Sequence, residues 1–284
     1  MRFTSVFFCL FSAMAPLGLI QLDRANGMDV VDVCEKNEDC QTMKITKNKL
    51  EEDAYNMDNY LNSTQSGQLA AKIKEAISAI NGILDEYGIE KTAIAFNGGK
   101  DSTLLLHLLR ICVTKKFGAD TKISAFFIKC DDEFIELVHF VQKMASMYNL
   151  DLVELSGPMK HGLALYKEKQ SHTVATMMGT RSTDPIGKYM KSNIQWTDGG
   201  WPKFLRVCPL FDWSYGEVWK GIRDLSISYC SLYDAGFSSL GECTKTTKNP
   251  ALLIKGTENS YKPAYTLNDG KLERSNREQS DPKL

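Results

Sequence analysis

This sequence predicts an α/β fold with a parallel sheet, and three observations carry the prediction. Short apolar runs alternate with amphipathic helical stretches four times between residues 92 and 178, the pattern of βαβ crossovers. A Gly-rich run, Asn97-Gly98-Gly99-Lys100-Asp101-Ser102, falls at the first strand-to-helix junction, where open α/β sheets bind ligands. The chain has 284 residues and 43% hydrophobic content, enough for one large core with a smaller subdomain.

Each element has its own signal. Leu69, Ile73, Ile77, Ile80 and Leu84 recur at helical spacing, and Gly88 is placed to cap that helix. Thr92–Phe96 is a short strand. Ser102–Phe117 is a helix whose last turn carries Lys115 and Lys116, suited to the negative end of its dipole. Lys122–Lys129 is apolar almost without interruption, as expected of a strand covered on both faces. A helix over Phe134–Tyr148, a strand over Leu152–Leu155, a helix over Leu163–Lys169 and a strand over Thr173–Met178 follow. Thr180–Lys203 is rich in Gly, Pro, Ser, Thr and Asp and reads as a long binding loop. Phe204–Leu210 reads as a strand, and Ser214-x-x-Glu217 is a capping box that opens a helix to about Leu225. The expected organisation is a flexible or targeting extension over 1–67, a nucleotide-binding domain over 68–210, and a small C-terminal subdomain over 211–284.

Charge narrows the function. Lys plus Arg total 34 and Asp plus Glu 35, a net charge of -1. No Lys/Arg run exceeds two residues, which excludes the clustered basic excess of a nucleic-acid binder. Eight cysteines show no C-x-x-C spacing and four histidines no close partner, so no structural zinc is expected. Reduced thiols point to the cytoplasm. The uncharged run Phe3–Ile20 behind Arg2 stands against that. It fits a signal peptide, a membrane anchor or a misassigned start; a dispensable extension is the preferred reading, and a monomer is expected.

The Gly-rich run carries the chemistry. Gly98 and Gly99 permit positive φ and a close approach of backbone to ligand. The N–H groups from Gly98 to Ser102 line an anion nest, and the start of the helix adds partial positive charge. Lys100 offers a full charge. Asp101 repels a phosphate unless a divalent cation lies between them, which is the reason to expect Mg²⁺. Neither a Walker loop nor a dinucleotide fingerprint is present. The run is similar to the S-G-G-x-D-S loop of the ATP pyrophosphatase (PP-loop) class, with Asn97 in place of the first Ser. A second site lies at the end of the fourth strand, in Gly179-Thr180-Arg181-Ser182-Thr183-Asp184. Arg181 is suited to a phosphate, and Asp184 to the same Mg²⁺ as Asp101. A third, Leu272-Glu273-Arg274-Ser275-Asn276-Arg277, offers two arginines three apart to a polyphosphate.

Taken in order, FNGGKDS, GTRSTDP, WPKFLRVCPLFDWSYGEVW, YCSLYDAGFSSLG, NPAL, YKPAY and LERSNR resemble the eukaryotic FAD synthase family, relatives of PAPS reductase. The resemblance spans about Ala93 to Arg277. It implies a Rossmann-like, adenine nucleotide alpha hydrolase-like sheet, with ATP and FMN as substrates and FAD and pyrophosphate as products. Carried onto this chain, it implies that Phe96, Asn97, Gly98, Gly99, Lys100, Asp101, Ser102 and Ile128 hold ATP. Asp101 and Asp184 would contact Mg²⁺. Asn97, Asp101, Arg274 and Arg277 would act on the reacting phosphate. Arg181, Asp184, Trp201, Asp212 and Trp213 would meet the flavin nucleotide. Cys208 departs from the family, whose animal members tend to have Asn before Pro-Leu.

Three rival readings remain at this point. A PAPS or adenylylsulfate reductase shares the loop but needs E-C-G-x-H, and this chain has Glu242-Cys243-Thr244. A tRNA thiolase wants basic surface or metal-binding cysteines. A degenerate nucleotide or flavin binder would not need Asp101, Asp184, Arg274 and Arg277 together.

Overall fold

The computed structural model describes residues 30–64 and 67–278. Its central strand, β1 (Thr92–Ala95), is buried on both faces at Thr92, Ala93 and Ile94. β1 pairs in parallel with β2 (Ile123–Lys129) and β4 (Ala175–Met177), Ile94 lying opposite Ala125 and Met177. β3 (Leu150–Ser156) extends the sheet beyond β2, and β6 (Leu205–Val207) extends it beyond β4. β5 (Ile194–Trp196) pairs antiparallel with β6 at the edge, giving the order β3-β2-β1-β4-β6-β5. The Rossmann-like α/β class is therefore the fold of the chain.

Helices cover both faces, as a mainly parallel sheet requires. α1 runs Val30–Asn62, α2 Gly67–Tyr87, α3 Lys100–Phe117, α4 Ile135–Met147, α5 Met159–Lys169 and α6 Tyr215–Asp224. α3 is buried on every side from Leu104 to Val113, because α2 and α6 pack on the surface it turns away from the sheet. α6 starts at the capping box read from the sequence. The Ser214 hydroxyl accepts from the Glu217 N–H at 3.3 Å, and the Glu217 carboxylate accepts from the Ser214 N–H at 2.7 Å. On the opposite face a smaller core of Ala93, Phe126, Leu155, Tyr166 and Phe204 lies with α5.

Three differences from the sequence reading have physical causes. Residues from Met43 onward form one compact unit. Within it, the second half of α1 is helical and buries Leu50, Ala54 and Met57 in the main core, so packed structure starts well before residue 68. These apolar residues are too sparse among acidic neighbours for their periodicity to register. The stretch after 210 has no core of its own, since Val218, Tyr233, Leu252 and Ala264 join the main one. β5 lies inside the expected long loop, at three residues too short to carry alternation. The apolar run Phe3–Ile20 lies outside the described residues. Among those described, no helix is long and apolar enough to cross a membrane.

The sheet order places the functional loops. From β1 the chain moves outward one way to β2 and β3, then returns to β4 on the other side. The reversal between β1 and β4 opens a crevice beyond their carboxyl ends. The loop 96–99 leaves β1 and the loop after Met177 leaves β4, so both Gly-rich motifs face the same crevice.

Candidate active site

Gly98 shapes the first loop. Its φ is +71°, and a Cβ there would lie 2.7 Å from Leu137 Cδ1 and 2.8 Å from Val141 Cγ2 of α4. Only glycine fits so close to a helix in that conformation. Gly99 does not share the requirement: its φ is -66°, and it is the residue at which α3 is entered. Asn97 secures the turn, its side-chain oxygen accepting from the Gly99 N–H at 3.1 Å and the Ser102 hydroxyl at 2.7 Å. Those bonds leave the Asn97 amide nitrogen for a ligand. Gly179 brings the second loop against the first, because a Cβ on it would meet the Ser102 backbone nitrogen at 2.7 Å.

Beneath the loops lies a ring of alternating charge. The Lys100 ammonium contacts Asp101 at 2.9 Å and bonds to Glu273. Arg181 Nη2 donates to both Glu273 oxygens, at 2.7 and 2.5 Å. Arg181 Nε approaches Asp101 Oδ1 at 2.8 Å and closes the ring. That last contact is an ion pair with its N–H out of line, so neither buried atom has an aligned hydrogen-bond partner. Lys100 and Arg181 are 2% and 1% exposed, and Glu273 is 7% exposed. Burial alone lowers both cations, but the Asp101 and Glu273 carboxylates outweigh it, and both are held above their ordinary ranges.

Asp184 is the third carboxylate beside two cations, with Arg181 Nη2 4.0 Å from its Oδ1. It accepts from the Arg181 N–H at 2.8 Å. Burial first, and then Asp101, push its carboxyl up. Two carboxylates that repel each other, one of them with an unaligned buried oxygen, form a donor set suited to a hard divalent cation. Among the described residues no cluster of three or more protein ligands exists. Mg²⁺ needs only one or two carboxylates when phosphate and water complete its shell, so these residues fit it.

The C-terminal arm closes the site. The Glu273 carbonyl accepts from the Ser238 hydroxyl at 2.6 Å. Asn276 donates to the Ser239 and Thr247 carbonyls at 3.0 and 2.8 Å. Arg274 is exposed and Arg277 half-buried, donating to the Leu240 carbonyl. Burial and then Arg274 lower the Arg277 guanidinium, a like-charge pressure that a bound anion would relieve.

The structure brings Asn97, Gly98, Gly99, Lys100, Asp101, Ser102, Arg181 and Asp184 together. Lys100 is turned inward, its side chain spent on Asp101 and Glu273 and its N–H on the Tyr233 hydroxyl at 2.9 Å. Phe96 is fully buried and donates its N–H to the Phe126 carbonyl. Ile128 is half-buried at the end of β2, against α5. Trp201 is half-buried with the Lys160 ammonium 5.9 Å from its ring. Asp212 is exposed at the start of α6, with its carbonyl held by Lys72, and Trp213 is core at 4% exposed. Sequence reasoning assigned no role to Glu273, Tyr233 or Tyr215, whose ring lies 5.3 Å from the Lys100 ammonium. A Glu beside two exposed-looking arginines and two tyrosines among many carry no periodic signal.

The phosphoadenosine phosphosulfate reductase domain model matches residues 91–171 and 163–248. A probable FAD synthase of Schizosaccharomyces pombe is 37% identical over 219 residues, 75% of this chain and 82% of that protein. A probable FAD synthase of Caenorhabditis briggsae is 45% identical over 208 residues, 72% of this chain and 40% of that protein. The chain thus spans less than half the length of that relative. The crystal structure of Candida glabrata FMN adenylyltransferase with FMN and the ATP analog AMPCPP superposes with a TM-score of 0.70 at 26% identity, over 81% of this chain and 97% of that one.

Proposed function

Since this chain belongs to the FAD synthase branch of the phosphoadenosine phosphosulfate reductase domain family, we propose that it is an FMN adenylyltransferase, transferring AMP from ATP to FMN to give FAD and pyrophosphate. The observation that carries this reading is the meeting of three sequence-distant segments at the crevice between β1 and β4. The charge ring ties the phosphate loop and the Arg181–Asp184 loop to Glu273, and Arg274 and Arg277 follow in the same turn.

The chemistry asks for alignment and charge neutralisation. A phosphate oxygen of FMN bonds to the α-phosphorus of ATP, and the bond from that phosphorus to the bridging oxygen of the β-phosphate breaks. The departing pyrophosphate takes the negative charge. The Gly98, Asp101 and Ser102 N–H groups at the start of α3 hold it, the Gly99 and Lys100 N–H groups of the expected nest being spent on Asn97 and Tyr233. The Asn97 amide nitrogen steadies the reacting phosphate. Arg274 and Arg277 offset charge as it develops. Asp101 and Asp184 would hold Mg²⁺, which neutralises phosphate charge when bound. No covalent nucleophile is required, because the FMN phosphate is already an anion near neutral pH. Lys100 contributes by fixing Asp101 and Glu273 rather than by reaching the triphosphate. Half-buried Trp201 is retained as a flavin contact, whereas Arg181, 1% exposed and spent on Asp101 and Glu273, orders the site from beneath. The active unit is read as a cytoplasmic monomer.

The test incubates the purified full chain with FMN, ATP and Mg²⁺ and resolves the flavins by chromatography. FAD and pyrophosphate should form in equal amounts, and Asp101→Asn should lower the rate by roughly 100-fold or more. ATP binding without FAD formation would overturn the substrate assignment while leaving the nucleotide site intact.

A further inference from the structure

Glu273 has an unusual place for a residue of a surface turn. It is 7% exposed, its two oxygens are taken up by Lys100 of α3 and Arg181 of the β4 loop, and among the described residues no other carboxylate joins those two segments to the C-terminal arm. On its far side the same turn is pinned by Ser238, Ser239 and Thr247. Arg274 follows Glu273 directly, and Arg277 lies one turn on. The Glu273 carboxylate therefore anchors to Lys100 and Arg181 the same turn from which Arg274 and Arg277 project.

We propose that Glu273 is a positioning residue. Through Lys100 and Arg181 it couples the Arg274/Arg277 arm to the phosphate loop, so that the arginines meet charge as it develops. This inference rests on the adenylyl-transfer reading. It also defines what Lys100 does, since its ammonium is the socket for Glu273 rather than a ligand of the triphosphate. Glu273 is 7% exposed and its oxygens are bonded to Lys100 and Arg181, so it acts on the reaction through those residues. Its loss should then misplace groups that matter in the transition state more than in the bound state.

The test uses the full chain. Glu273→Gln keeps the side-chain shape and removes the charge. Its kcat for FAD formation should fall about 10–100-fold, with KM for ATP and FMN within about threefold of wild type. Glu273→Asp, which retains the charge, should recover a large part of the loss. Amide exchange should quicken at residues 274–277 and stay unchanged in the middle of α3. The exchange arm is read without any reaction, so a wild-type chain that makes no FAD would sink the function while leaving the coupling itself testable. Should Glu273→Gln fail to fold, the charge-balanced pair Lys100→Gln with Glu273→Gln is used, and its kcat should remain low. Three results would overturn the proposal: unchanged kcat in Glu273→Gln, a loss that merely tracks the folded fraction, or wild-type kcat in the charge-balanced pair.

Discussion

Replacing Gly98 with Ala tests the geometry of the phosphate loop at one atom. The new methyl would sit at a φ of +71°, 2.7 Å from Leu137 Cδ1, 2.8 Å from Val141 Cγ2 and 3.3 Å from Phe140 Cδ1. A left-handed backbone costs an L-residue about 1–2 kcal/mol. The three neighbours are buried on α4 and have no solvent to swing into. Overpacking of that kind costs about 1–3 kcal/mol. The sum of about 2–5 kcal/mol should lower Tm by roughly 4–20 °C for a unit of this size. Gly99→Ala is the control. Its φ of -66° suits any residue, and its nearest neighbour is the side-chain oxygen of exposed Asn97 at 3.1 Å. It should lose no more than about 1 kcal/mol, the cost of Ala at a helix start. Thermal unfolding of both variants, with AMPCPP binding measured alongside, decides the matter. If Gly98→Ala melts within about 2 °C of wild type, or if Gly99→Ala falls as far, the steric argument is wrong.

Further outcomes follow from burial and charge. Arg181→Gln leaves Asp101 and Glu273 with Lys100 alone in a buried ring, so chemical denaturation should register a loss of about 3–5 kcal/mol. His107, on α3, is buried against Tyr148, and burial lowers it from 6.5 to about 4, outweighing Asp53, which raises it, while Lys49 adds to the lowering. The unfolded chain therefore binds the extra proton first. Stability should fall as pH drops from 6.5 towards 4, by about 2–3 kcal/mol between pH 7 and pH 4.5, and His107→Gln should remove that part of the slope in urea titrations. Deleting residues 1–60 strips Leu50, Ala54 and Met57 from the core at a cost of about 4–7 kcal/mol, whereas deleting 1–42 leaves them in place. Melting curves of the two truncations should separate clearly, and equal Tm values would refute the packing of α1.

What the sequence determined on its own is local. Short apolar runs specified the parallel strands, the spacing of Leu and Ile specified α2 and α3, and Ser214 with Glu217 specified the start of α6, because each signal lies within a few residues of its effect. The Asn97–Ser102 loop and the Arg181–Asp184 loop were legible for the same reason, as motifs that directly follow strands. Tertiary structure alone decided what long-range charge does with them. Lys100 reads as a phosphate clamp in sequence, yet it is buried on Glu273, 173 residues away. Of the two loop glycines, α4 makes only Gly98 indispensable. Trp213 and Phe96, conspicuous beside the motifs, are core. A buried cation must find carboxylates wherever the fold supplies them, and which carboxylate arrives depends on the path of the whole chain, which no local pattern records.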